Sequence, residues 1–71
     1  SNLELKDAGI YLRLGDAYFA NKQTKSALDN YKKAYQLDPK LPGLSKKLGT
    51  VYALRNDTIN AEKYFLEAAE D

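Results

Sequence analysis

The sequence matches itself at an offset of 34 residues. In the first copy Tyr11, Leu14, Gly15 and Tyr18 fall at helical spacing, followed by Ala27, Tyr31 and Ala34, and then Pro39. In the second copy Leu48, Gly49 and Tyr52 are followed by Ala61, Phe65 and Ala68, each 34 positions beyond its counterpart. A period of this length marks stacked copies of one supersecondary unit. Such a unit cannot bury its apolar face alone and must pack it on a neighbour.

Within each copy the apolar residues predict two helices. Ile10, Tyr11, Leu14, Ala17 and Tyr18 recur at the i, i+3, i+4, i+7 spacing of one buried face, over about 8–20. Asp7 is read as the N-cap or a first-turn residue. Gly15 lies inside that face. An interior glycine costs about 1 kcal/mol relative to alanine, so a neighbouring helix is expected to approach closely there. Asn21 to Thr24 reads as a turn, with Thr24 as N-cap of a second helix over about 25–37. Ala27, Leu28, Tyr31, Ala34 and Tyr35 form its inner face, and Asp29 and Lys33 are placed for an i, i+4 ion pair. Asp38-Pro39 stops it, because the residue before proline is biased away from the helical region. Pro42 is expected to open a third helix running to Leu54, with Leu44, Leu48, Val51 and Tyr52 inward. Asn56 suits a left-handed turn position, and Asp57 or Thr58 can cap a fourth helix over about 59–70. Ala61, Tyr64, Phe65, Ala68 and Ala69 form its apolar face. Short turns make neighbouring helices antiparallel. The fold class is therefore all-α, with two alike helix pairs stacked as a solenoid.

Composition removes several function classes. The 71 residues contain no Cys and no His, which excludes disulfide staples, classical zinc sites and Cys or His nucleophiles. Gly15 and Gly49 stand alone inside helices and form no phosphate loop. No enzyme activity and no cofactor is expected. Eleven basic residues against 10 acidic ones leave a net charge of +1. Lys32-Lys33 and Lys46-Lys47 therefore read as solvated helix surface, and no nucleic-acid partner is expected. No apolar run nears the roughly 20 residues of a membrane span, and no signal peptide is visible. The chain opens on Ser1-Asn2 and contains no Met, which reads as a tag scar on a piece of a longer protein. No compartment is assigned, and the cytoplasm is only the default.

The repeated residues resemble the tetratricopeptide repeat (TPR) family, whose signature is Trp-x-x-Leu-Gly-x-x-Tyr, then Ala-x-x-x-Phe, then Ala and Pro. Tyr11 stands at the tryptophan position and Tyr31 replaces the phenylalanine. Leu14, Gly15, Tyr18, Ala27, Ala34 and Pro39 match as written. In the second copy Ser45 stands where the large aromatic belongs, and the closing proline would fall beyond Asp71. The family's turn glycine is replaced by Lys22 and Asn56. These departures are expected to alter the turns and the packing near Ser45. The resemblance divides a single domain, 1–71, into a lead-in over 1–7, one repeat over about 8–41 and a second over about 42–71.

The resemblance implies a right-handed superhelix whose first helices line a concave groove, and a protein-interaction scaffold that holds a peptide or helix there. The groove positions carried over are Leu12, Asp16, Phe19 and Ala20, then Lys46, Lys47, Thr50, Ala53 and Leu54. Together they suit a ligand with an apolar anchor and an acidic group. The family's clamp for a peptide carboxylate begins with a lysine and an asparagine, where this chain has Leu12 and Asp16. An aspartate repels a carboxylate, so that clamp is not expected. The alternative is a self-assembly or spacer module that associates through exposed repeat ends, with parts of Tyr64, Leu66 and Ala69 uncovered.

Overall fold

The computed structural model describes residues 7–70. It contains α1 (Ala8–Ala20), α2 (Thr24–Leu37), α3 (Leu44–Leu54) and α4 (Thr58–Ala69), and no strand among the described residues. The expected tag scar and most of the lead-in, 1–6, lie outside the described residues, as does Asp71.

The helix ends follow local chemistry. Asp7 caps α1, its carboxylate accepting from the Gly9 N–H at 2.8 Å. Asp57 caps α4 in the same way, accepting from the Asn60 N–H at 3.2 Å. Thr24 does not cap α2. It is the first helical residue, and Gln23 precedes it without a side-chain bond. Pro42 does not open α3 either. The Leu41 N–H donates to the Asp38 carbonyl at 3.2 Å and the Leu44 N–H to the Leu41 carbonyl at 3.1 Å. Between them Gly43 takes φ 82°, a left-handed conformation that interrupts any helix begun at Pro42. The expected Asp29–Lys33 pair is absent. Asp29 meets Lys25 at 3.5 Å, and the Lys33 ammonium lies 5.9 Å from the centre of the Tyr11 ring.

The two turns within the repeats, α1–α2 and α3–α4, keep the geometry that a glycine would give, contrary to the sequence expectation. In the first, the Gln23 N–H reaches the Tyr18 carbonyl and the Lys22 N–H the Phe19 carbonyl, both at 2.9 Å. In the second, the Asp57 N–H reaches Tyr52 at 2.9 Å and the Asn56 N–H reaches Ala53 at 3.0 Å. Both are Schellman motifs, which demand a left-handed residue, and Lys22 (φ 64°) and Asn56 (φ 65°) supply it. The hydrogen bonds win, and the missing glycine is felt as strain rather than as a changed turn.

Consecutive helices pack as α1 on α2, α2 on α3 and α3 on α4. An Asp16–Lys47 ion pair joins α1 to α3, and a Tyr35–Tyr64 ring contact joins α2 to α4. The odd and even helices thus form separate layers. The core lies on α3, where Leu44, Leu48 and Val51 are fully buried among residues that include Ala27, Tyr31 and Ala34 of α2. The close approach expected at Gly15 is made by a ring: a Cβ there would lie 2.5 Å from Tyr31. The second copy repeats it, with Phe65 2.7 Å from a Cβ on Gly49.

Equivalent residues are not equally buried. Leu48 is 0% exposed but Leu14 is 39%, and Tyr31 is 2% exposed but Phe65 is 40%. Ala17 and Tyr18 are exposed too, while Ile10, Tyr11 and Tyr52 are half-buried. The periodicity alone places Leu14, Ala17, Tyr18 and Phe65 on buried faces. Leu48 and Tyr31 belong to α3 and α2, the two helices that each pack on two neighbours, and both lie in the shared core. Their counterparts lie on α1 and α4, which each pack mainly on one neighbour among the described helices. Leu66 and Ala69 are exposed as expected, but Tyr64 is buried. Its ring stacks on Tyr52 (centroids 5.6 Å, 4°) and meets Tyr35 edge-to-face (5.3 Å, 89°).

Candidate functional site

The groove positions lie on α1 and α3, which share a layer. The 34-residue register pairs Leu12 with Lys46, Asp16 with Thr50, Phe19 with Ala53 and Ala20 with Leu54. Leu12 and Phe19 are half-buried and pack against the core. Ala20, Lys46, Ala53 and Leu54 are exposed, Leu54 at 59%.

Asp16 is the fixed point of this face. Its Oδ1 accepts from the Tyr31 hydroxyl at 2.5 Å and from Lys47 Nζ at 3.0 Å. One carboxylate therefore ties α1 to both α2 and α3. Burial first, and this bond to Asp16 second, push the Tyr31 phenol well above its ordinary range, so it stays a neutral donor. The Asp16–Lys47 pair is half-exposed, and a pair of that kind contributes at most about 1 kcal/mol.

The other positions divide by helix end. The Thr50 hydroxyl donates to the Lys46 carbonyl at 3.0 Å, so its one proton is turned back onto its own helix. Lys46 makes no ion pair among the described residues. Phe19, Ala20, Ala53 and Leu54 occupy the C-terminal ends of α1 and α3 and present apolar surface. The face thus carries a neutralised pair at its centre, a free ammonium toward one end and an apolar strip at the other.

A second cluster escaped the sequence reading. The Tyr35 hydroxyl donates to Glu67 Oε1 at 2.7 Å, which together with burial pushes its pKa up to about 12. Beside it lies a cavity of about 230 Å³ lined by Tyr35, Pro39, Lys40, Ser45, Glu67 and Glu70. The signal in the sequence was Ser45, where the repeat calls for a large ring. Among the described residues no Asp and Glu group could hold a metal ion, and no helix is long and apolar enough to cross a membrane.

Residues 15–55 match the family described as TPR repeat. No curated protein matches the chain.

Proposed function

Because this chain belongs to the TPR repeat family, whose members are generally protein–protein interaction modules, we propose that it is a non-catalytic scaffold binding an extended peptide or a short helix on the α1–α3 face. The observation that carries this reading is the state of Asp16. With Lys47 and Tyr31 already on its carboxylate, the face offers a partner no free negative charge at its centre. What remains is the Lys46 ammonium and the apolar strip of Phe19, Ala20, Ala53 and Leu54. That combination suits a segment with an apolar anchor and an acidic side chain on one edge, since rigid apolar pockets supply affinity and charges supply register. The same pair argues against a clamp for a terminal carboxylate, because the Lys47 ammonium is already held by Asp16 and is not free to receive one.

Fluorescence anisotropy against a peptide panel tests this. Peptides with an apolar anchor beside an acidic residue should bind, Leu54→Asp should weaken them about tenfold, and Lys46→Glu should weaken them severalfold. Both variants should melt like the parent. Binding that ignores both changes but is lost in Glu62→Lys, on the other layer, would contradict the reading.

A second reading rests on the outer faces. Leu14 and Phe65 are the exposed counterparts of Leu48 and Tyr31, which are buried in the core that α2 and α3 share. Their exposure supports a module that stacks on further repeats or on a second copy through the same contact. Sedimentation over a range of concentrations separates the two: a mass that rises with concentration and falls in Phe65→Lys supports stacking, and a constant monomer mass opposes it.

A further inference from the structure

Ser45 stands 34 residues after Tyr11, and Glu67 stands 34 residues after Lys33. In the first repeat these positions hold a ring with an ammonium beside it. In the second they hold a small hydroxyl and a carboxylate, and both of these line the cavity of about 230 Å³. The first repeat fills this place with its own aromatic and its own cation. The second leaves the place open and reverses the charge.

Three features describe an occupant. Ser45 is only 6% exposed, lines the cavity, and its hydroxyl makes no hydrogen bond among the described residues. Glu67 and Glu70 sit in the last turn and the C-cap of α4, where the helix dipole disfavours carboxylates. Neither forms an ion pair among the described residues, and Glu67 holds only the Tyr35 hydroxyl. The Tyr35 ring and Pro39 supply apolar wall, and an aromatic ring attracts a cation. Such a local violation of helix electrostatics is expected where function overrides stability.

We propose that this cavity is a second binding site, separate from the α1–α3 face, for an arginine side chain of a partner protein. The guanidinium lies against the Tyr35 ring and donates to Glu67, Glu70 and the Ser45 hydroxyl. A planar cation with five donors serves these spread acceptors better than a compact ammonium. Lys40 is the one cation on the lining and competes from the rim.

The test is an amide chemical-shift titration of the isotopically labelled chain with capped Gly-Arg-Gly, and with the citrulline peptide as a neutral isostere. The arginine peptide should shift the amides of Tyr35, Ser45, Glu67 and Glu70, and citrulline should bind at least tenfold more weakly. Ser45→Tyr, which restores the ring found at Tyr11, should abolish the response. Glu67→Gln with Glu70→Gln should weaken it while keeping an acceptor for Tyr35, so it decides the question should Ser45→Tyr not fold. Lys40→Gln should strengthen it. No shift at millimolar peptide, an equal response to citrulline, a lysine peptide binding as tightly, or a response surviving in folded Ser45→Tyr would overturn the proposal. None of these outcomes touches the α1–α3 face, which is tested by its own variants.

Discussion

A Cβ on Gly15 would sit 2.5 Å from the Tyr31 ring, and Tyr31 is the buried centre of the α1–α2–α3 junction. Alanine is the better helix former by about 1 kcal/mol, yet Gly15→Ala should destabilise by about 2 kcal/mol, because overpacking a closed core costs about 1–3 kcal/mol. Gly49→Ala should cost less. Its neighbour Phe65 is 40% exposed and its ring has room to swing outward. Urea denaturation of both variants checks the order. Lys22 runs the opposite way. It holds φ 64° without being glycine, and a left-handed non-glycine residue costs about 1–2 kcal/mol. Lys22→Gly should therefore stabilise by about 1 kcal/mol after glycine's own entropy cost, and Asn56→Gly by less, since asparagine tolerates that region. The need for a small residue at Gly15 was legible in the sequence. The strain at Lys22 was not, because nothing local says which residue completes a Schellman turn when the glycine is missing.

At the scale of the helix, the acidic caps were legible and the hydroxyl cap was not. Asp7 and Asp57 each stand just before a helix and accept its first free N–H groups. Thr24 has the same sequence credentials, but the Schellman turn already places Gln23 at the junction. Thr24→Ala should leave the melting temperature nearly unchanged, and Asp57→Ala should lower it. The Asp57 carboxyl is held below its ordinary value of 3.8, first by the Asn60 side chain and then by its backbone N–H. A carboxyl lowered in the folded state stabilises fully above that ordinary value, and the contribution is lost as pH falls through the lowered one. Acid should thus loosen α4 at its start, which circular dichroism of parent and Asp57→Ala will compare. Pro42 misled for a related reason: a proline suits the first helical position, but Gly43 behind it can break the helix, and only the fold decides which rule acts.

For the whole molecule, three tyrosines set the alkaline limit. Tyr35 is pushed up to about 12 by its bond to Glu67 and by burial, and Tyr31 and Tyr64 are raised chiefly by burial. A group raised on folding stabilises fully below its unfolded value, here 10.0, and that stability is lost as pH rises through the folded value. The urea midpoint should fall from about pH 10 upward, and Tyr35→Phe should flatten part of that fall. The 34-residue period made the stacking of two alike helix pairs legible, while the α2–α3 junction between them came from the packed helices. It did not make burial legible, because Leu14 and Leu48 carry the same signature and differ only in what lies beside them. The candidate face was legible as a set of positions, while the Asp16–Lys47–Tyr31 tie across it needed the packed helices.

On this account stability resides in the junction between repeats, with α3 at its centre and α1 and α4 as the outer, half-covered helices. Native-state hydrogen exchange, read amide by amide, tests that most directly. The Leu48 and Val51 amides of α3 should exchange slowest, those of Tyr31 and Ala34 next, and the amides of α1 and α4 first. Protection in α4 equal to or greater than that in α3 would contradict it.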